Sequence, residues 1–388
     1  MGQNISSDWD VIIIGGGIAG ASLGFRLAGH RKTLVLERES DPGYHSTGRS
    51  AAGLSENLGT RIVRALTTLG RAFLESPPAG FSDAPLMRPR PWLFIARADQ
   101  EDDYRRELTE ARLSAPSVHE VSREEALRRF PLLEPSYLAH AFVEPTATDL
   151  DVDAILQGYL KGLRAAGGKI VPDAEVLGLA RDGERWIVET RAGTFRAPVI
   201  VNAAGAWADQ VAEKAGARPI GLVPKRRTAI IVPAPDGIDL STWPELDDVG
   251  GEFYVKPEAG KFLVSPSDET PSEPTDAQPD DLDVALAVDR LERATTLRVR
   301  RVEHRWAGLR SFVADREPVI GFDAQAPGFF WLAGQGGAGI QTSPGLSETA
   351  AGLILGRPWP ELLSRRGIEP HHLSPERLAR TAASRITA

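Results

Sequence analysis

The chain of 388 residues contains no cysteine. It can therefore form no disulfide, no thiolate metal site and no cofactor tether through sulfur. Its seven histidines fall into neither an H-x-H nor an H-E-x-x-H spacing, so no metal centre is expected. No G-x-S-x-G elbow is present. No apolar run approaches the ~18 residues needed to span a bilayer, so no integral membrane segment is expected. Val11–Ile14 is too short for a signal-peptide core and runs straight into glycines, so no secretory signal is expected. An excess of basic residues is also missing: 45 Lys and Arg face 53 Asp and Glu, a net charge of −8. That balance offers no basic face to a nucleic acid. A cytoplasmic location is the expectation, with loose membrane association as the alternative. Met1–Ser6 fits a loose myristoylation pattern and Asn4-Ile5-Ser6 a glycosylation acceptor, and both are short enough to arise by chance.

What is present is an ordinary globular composition, 42% apolar and 25% charged. Its length exceeds one hydrophobic core, so two domains are expected. The most informative segment is an apolar strand, Val11–Ile14, followed by Gly15-Gly16-Gly17-Ile18-Ala19-Gly20, a helix, and a second strand that ends in Glu37. In such a G-x-G-x-x-G turn, Gly15 permits the tight bend and Gly17 lets a pyrophosphate approach the backbone. Gly20 lets the helix pack close to the strand. The helix N-terminus offers free N–H groups and partial positive charge. Glu37, 22 residues after Gly15, can accept hydrogen bonds from a ribose. These features indicate a dinucleotide without saying which.

Further along, Gly43–Gly53 is polar and glycine-punctuated, and Pro77–Pro91 reads as a crossing between domains. Helices are expected at Thr60–Leu74, Gln100–Arg112, Ser122–Phe130, Asp151–Ala166, Leu282–Ala294 and Pro344–Leu355. Val199–Asn202 is an apolar strand that meets Ala203, Ala204 and Gly205 before Trp207, small residues that allow close approach of a ligand. Ala229–Val232, Glu252–Lys256 and Lys261–Val264 read as antiparallel strands. The acidic stretch Ser267–Asp283 reads as a solvated loop without function, and Arg298–Arg305 as a solvated strand edge. Phe329–Ala333 is a buried strand that runs into Gly334-Gln335-Gly336-Gly337-Ala338-Gly339 and a helix, a second helix entry able to face a ligand.

Four segments together resemble the FAD-dependent D-amino acid oxidase superfamily, which also holds glycine oxidase and sarcosine oxidase. They are the N-terminal unit, Gly43–Ala52, Trp306–Phe312 and Gly334–Thr342. Within the superfamily the sharpest likeness is to bacterial D-arginine dehydrogenases. It lies in Tyr44–Ala52, Pro224–Arg227 and Gly336–Thr342. The resemblance implies an α/β chain, α+β taken as a whole. A Rossmann-type FAD-binding domain (1–85, 145–217 and 308–388) would carry a second domain on a mixed, largely antiparallel sheet (86–144 and 218–307). It implies non-covalent FAD. Glu37 and Arg38 would lie at the adenosine, Val176 would touch adenine through its backbone, and Ala204, Gly205 and Trp207 would also contact the cofactor. Ser46, Thr47, Arg49, Ser50, Ala51 and Ala52 would follow the pyrophosphate and ring, with Ile18 and Ala19 opposite. Gly337, Ala338, Gly339 and Ile340 would reach the pyrimidine edge of the flavin, and Gly308 and Gly336 would also contact the cofactor.

A flavin enzyme acting on amino acids must hold a carboxylate, and an arginine fork fixes both charge and orientation. Arg310 and Arg227 are the candidates, with Tyr254 adding a hydroxyl. The resemblance adds the Gly337 carbonyl as a receptor for the amine. The implied reaction is oxidative deamination of a D-amino acid: a hydride leaves Cα for the flavin, and the imino acid hydrolyses to a 2-oxo acid and ammonia. No base stands out, since His45 on its loop reads as structural. The chain departs from D-arginine dehydrogenases at Gly53, Leu58 and Trp92, where they carry histidine, tyrosine and the glutamate that receives the guanidinium. Trp92, Leu54 and Leu58 therefore suggest a pocket for apolar or aromatic side chains, with Gly53 and Gln341 completing its wall. Against this, Glu245, Asp247 and Asp248 are placed on a loop near that wall, where they could replace the missing acid. The alternatives are a flavin enzyme for a 2-hydroxy acid or N-alkyl amino acid, and a flavoprotein subunit active only with a partner. The electron acceptor, oxygen or a quinone, is left open.

Overall fold

The computed structural model describes residues 8–378; the Met1–Ser6 patterns lie outside them. A six-stranded sheet runs in the order Val319–Phe322, Phe329–Ala333, Val199–Asn202, Val11–Ile14, Thr33–Leu36, Lys169–Val171. All neighbours are parallel except the edge pair Val319–Phe322 and Phe329–Ala333. Parallel strands need cover on both faces, which is why Val11–Ile14 and Phe329–Ala333 are apolar throughout and buried. The helix Ile18–Ala28 packs on one face beside Val152–Ala165 and Gly339–Leu355. A three-stranded antiparallel sheet, Val176–Asp182, Arg185–Thr190 and Gly193–Ala197, covers the other with Trp186 and Phe195.

The second large sheet has nine strands. From one edge, His304–Phe312 pairs with Val223–Pro233, followed by Lys261–Ser265, Tyr254–Glu258, Glu245–Asp248, Trp92–Ala96, His140–Glu144 and His119–Val121, while Thr270–Pro271 adds to Val223–Pro233. One face packs on the helix Asp281–Ala294 through Leu93, Leu246, Val255, Val264 and Leu291, all buried. Of the alternate residues, Phe94, Ala96 and Phe142 pack on the helix Glu101–Ser114, while Arg227, Tyr254 and Arg310 line cavities. His304–Phe312 runs unbroken through the boundary expected at 307/308. A small sheet of Gly53–Leu54, Thr148–Leu150 and Met87–Pro89 links the two halves.

Two elements start five or six residues earlier than the sequence reading has them. The last long helix begins at Gly339, not Pro344, and holds that proline inside. Its helix partner Arg61–Glu75 approaches so closely at Gly70 that a Cβ there would stand 3.1 Å from the Pro344 Cβ, so tertiary packing outweighs the lost backbone bond. The strand Val223–Pro233 starts six residues before the expected Ala229. Its pairing with His304–Phe312 recruits Pro224–Thr228.

Candidate active site

The glycine turn adopts the conformation its sequence requires. Gly15 has φ +105°, and a Cβ there would collide with the Ala203 carbonyl. Gly20 lies inside the helix where a Cβ would strike the Gly15 carbonyl, a packing glycine rather than a cavity wall. The first turn of Ile18–Ala28 carries no acidic residue, so nothing offsets its partial positive charge. Glu37 is buried, its Oε2 accepting from the Gly16 N–H at 2.7 Å and its Oε1 from the Glu39 N–H at 2.9 Å. Each oxygen keeps a further lone pair for a ribose hydroxyl.

A cavity opens from this point, lined by Gly15, Gly17, Glu37, Arg38 and Val176 on one side. Ser46, Thr47, Ala204, Gly205 and Trp207 close the other. Arg38 stacks on Trp207 with its guanidinium 4.3 Å from the ring centroid and pairs with Glu39 at 2.7 Å. His45 is here as well, bonded to Glu39 at 2.8 Å. It thus belongs to the adenosine end and cannot act as a base on a substrate. Thr47 Oγ1 accepts from the Ile18 N–H at 3.0 Å, tying the 43–50 loop to the helix start.

The groove continues between Ile18, Ala19, Ser50, Ala51 and Gly308, then along Gly336, Gly337, Gly339 and Ile340. Arg49 contributes its stem, but its guanidinium turns away to Asp276 and to the carbonyls of Ala277 and Ala307 at 3.0 and 3.1 Å. This revises the reading of Ser267–Asp283. Asp268 holds the Thr228 N–H at 2.7 Å, and its carbonyl accepts from Arg227 Nε at 2.8 Å. Glu269 pairs with Lys225 and Arg316, which hold its carboxyl down to about 2. The stretch is acidic because it meets basic residues of neighbouring strands, which spacing along the chain cannot reveal.

The far end of the groove opens into a third cavity. It shares Ser50, Ala51, Arg227, Tyr254, Arg310, Gly337 and Ile340 with the groove, and adds Ala52, Gly53, Leu58, Trp92, Glu245, Asp247, Ala338 and Gln341. Arg310 lies directly over Gly337: a Cβ on Gly337 would stand 2.8 Å from one terminal nitrogen and 2.9 Å from Cζ. No acidic side chain among the described residues pairs with Arg310. Arg227 sits diagonally across the strand pair, opposite Gly308 and two residues from Lys225, which opposes Arg310. Burial, then the neighbouring Arg310, lowers the Arg227 guanidinium to about 10. Two adjacent guanidiniums, one with Glu269 only at 3.5 Å, make a receptor for an anion.

Three expectations for the pocket wall change. Leu54 is fully buried among Ile18, Leu74, Tyr159 and Ile340 and faces the core, not the cavity, because the two-residue strand Gly53–Leu54 alternates its faces. Trp92 does reach the cavity, and it does so over Gly53, where a Cβ would stand 2.6 Å from Trp92 Cζ2. Glu245, Asp247 and Asp248 lie on a strand, not a loop, pairing in parallel with Trp92–Ile95. Alternation sends Glu245 and Asp247 to the cavity and Asp248 away to Gln100 at 3.0 Å. The sequence reading missed Glu144 altogether. It is buried opposite Trp92 and ties down the 55–57 loop through the Ser55 hydroxyl at 2.6 Å, the Glu56 N–H and the Asn57 amide. Burial raises its carboxyl.

A family model described as DAO, an FAD-dependent oxidoreductase, matches residues 10–353. The chain belongs to the DAO family. Its cofactor is FAD, and the groove fits it: an acid-free helix start at each end, a buried Glu37 beside the first, and glycines where side chains would intrude. The chain is 25% identical over 359 residues to glycine oxidase of Geobacillus kaustophilus, covering 89% of this chain and 93% of that one. It is 24% identical to human mitochondrial sarcosine dehydrogenase over 91% of this chain, which spans 40% of that longer protein. Among solved structures, the L-proline dehydrogenase of P. horikoshii superposes with a TM-score of 0.81 over 97% of this chain and 99% of that one, at 22% identity, which shows the shared fold. Among the described residues no helix of this DAO-family protein is long and apolar enough to cross a membrane, and no group of side chains could hold a metal.

Proposed function

We propose that this protein oxidises the carbon that carries both an amine and a carboxylate, in an amino acid or an N-alkyl amino acid. One observation carries the reading: Arg310, laid over Gly337 without an acidic partner, converges with Arg227 and Tyr254 where the FAD groove meets the third cavity. In this reading the guanidiniums of Arg310 and Arg227 hold the carboxylate and the Tyr254 hydroxyl donates a further bond. The carbonyl of Gly337 accepts from the amine, so that the substrate's α-carbon is fixed in one orientation. FAD, when bound, supplies the two-electron acceptor. Rate then comes from positioning and electrostatics. The imino acid released hydrolyses to a 2-oxo acid and ammonia, or an amine when nitrogen carries an alkyl group.

The names of the relatives support amine chemistry: glycine, sarcosine and L-proline each carry an amine beside a carboxylate. They span achiral and L-configured compounds, so the D-configuration implied by the sequence resemblance enters as one arm of the test. A 2-hydroxy acid is disfavoured, because alcohol oxidation commonly uses a histidine base and no histidine lines the third cavity among the described residues. The test is an anaerobic screen of the FAD-loaded protein against D- and L-amino acids, glycine, sarcosine and 2-hydroxy acids, read by bleaching of the flavin and followed by admission of air. Bleaching by an amino acid with release of ammonia or amine supports the reading. Bleaching by hydroxy acids alone overturns it. The air step separates oxidase from dehydrogenase.

A further inference from the structure

The cavity-facing side of the nine-stranded sheet is charged in opposite senses at one edge and at its middle. At one edge stand Arg310 and Arg227; Tyr254 follows, and beyond it Asp247, directly opposite Tyr254 in the ladder, and Glu245 beside Trp92. Only the basic end has work in the proposed reaction. Glu245 is 4% exposed, yet its Oε2 touches no donor, and the buried Oδ2 of Asp247 is likewise unpartnered. Neither carboxylate forms an ion pair among the described residues, although both line the cavity. A buried acceptor without a donor costs free energy, and nothing in the fold recovers it here. Lys256, the cation beside Glu245, is committed to Asp149 at 3.1 Å and to the carbonyls of Ala51 and Ala52, and the cations that act on Asp247 are Arg310 and Arg227 of the clamp itself.

We infer that Glu245 and Asp247 bind a second, cationic group of the substrate, an amine or guanidinium placed at a distance from the carboxylate that Arg310 and Arg227 hold. This rests on the carboxylate clamp of the proposed function and names its substrate class: amino acids or N-alkyl amino acids with a basic side chain. The α-amine itself cannot fill both roles. Three strand steps separate Val223–Pro233 from Glu245–Asp248, about 14 Å between backbones, whereas the α-amine sits one bond from the carbon that bears the carboxylate. Burial and the nearby carboxylates of Asp248 and Glu144 push Asp247 up to about 7, against the opposing pull of Arg310 and Arg227. Trp92, whose ring forms part of the same wall, offers an aromatic face that a cation can use as well. The tryptophan that displaces the acid of the D-arginine dehydrogenases thus leaves a cationic side chain with an acidic wall on the neighbouring strand.

The test is calorimetric titration of the FAD-loaded protein at pH 8.5 with acids that lack an α-amine and cannot be oxidised: butanoate, pentanoate and hexanoate against their ω-amino derivatives. Expected is tighter binding of at least one ω-amino acid than of its parent, by about tenfold or more, the value of a charge-assisted bond. That ratio, taken within each variant, falls toward one in E245Q and in D247N. Equal affinity across all three pairs overturns the inference and leaves the clamp standing, as does a ratio that survives both substitutions. Failure of every acid to bind overturns the clamp, and the inference with it.

Discussion

Replacing Gly337 with Ala tests the carboxylate clamp without removing an arginine. The added methyl would stand 2.8, 2.9 and 3.0 Å from NH1, Cζ and Nε of Arg310, inside the approach that real Cβ atoms make. Gly337 does not have a positive φ, so alanine is tolerated by the backbone. Arg310 has no acidic partner to hold it in place, so its guanidinium swings away at small cost. The fold should lose less than about 1 kcal/mol. The ligand loses much more: a hydrogen bond to a charged group contributes about 1.5–3 kcal/mol, which corresponds to about 10- to 150-fold in Kd. Titration of pentanoate into the FAD-loaded protein, with R310A as the reference for complete loss, reads this directly. Expected is a Kd for G337A close to that of R310A, with FAD retained and Tm nearly unchanged. A wild-type Kd in G337A beside a weakened one in R310A would refute the placement of Arg310 over Gly337.

Two further outcomes follow from the pocket wall. G53A forces a methyl against Trp92 Cζ2 at 2.6 Å and the Thr148 carbonyl at 3.2 Å, and should destabilise by about 1–3 kcal/mol; W92L in the same chain should recover most of that loss, and thermal unfolding that shows simple additivity would sink the packing argument. D247N should match wild type in stability near pH 4 and exceed it by up to about 4 kcal/mol near pH 8, because a carboxyl raised to about 7 is still protonated in the folded state after the unfolded chain has released its proton. Stability lost by wild type is therefore lost between about pH 4 and 7 as pH rises, and a D247N advantage independent of pH would rule this out.

The dinucleotide unit was legible in the sequence because its physics is local. A strand, a glycine turn, a helix start and an acid at fixed spacing specify one geometry. The structure then brings Gly15, Gly17 and Glu37 to one cavity. Alternation along single strands was legible too: Arg227 and Ala229 share a cavity-facing side, while Arg226 turns to Asp283 at 2.7 Å. Pairing between strands was not. Nothing near Glu245 in the chain shows that it lies beside Trp92, or that Asp247 faces Tyr254. Leu54 was misplaced for the same reason, since a two-residue strand offers no period from which to read a face. The Ser267–Asp283 stretch looked solvated because its basic partners, Arg49, Lys225 and Arg316, come from distant segments.

The sequence by itself determined that this chain holds a dinucleotide and that no thiol takes part, and it singled out Arg310 and Arg227 as the arginines suited to a carboxylate. Those conclusions rest on residue chemistry and on spacing within a single element. Only the tertiary structure decided that Arg310 lies over Gly337, that Trp92 fills the space above Gly53, and that two unpaired acids face the arginines across one sheet. These are long-range properties: Gly53 and Trp92, or Trp92 and Glu245, lie far apart in the chain and become neighbours only when the ladder forms, and burial, which raises Asp247, exists only once they have.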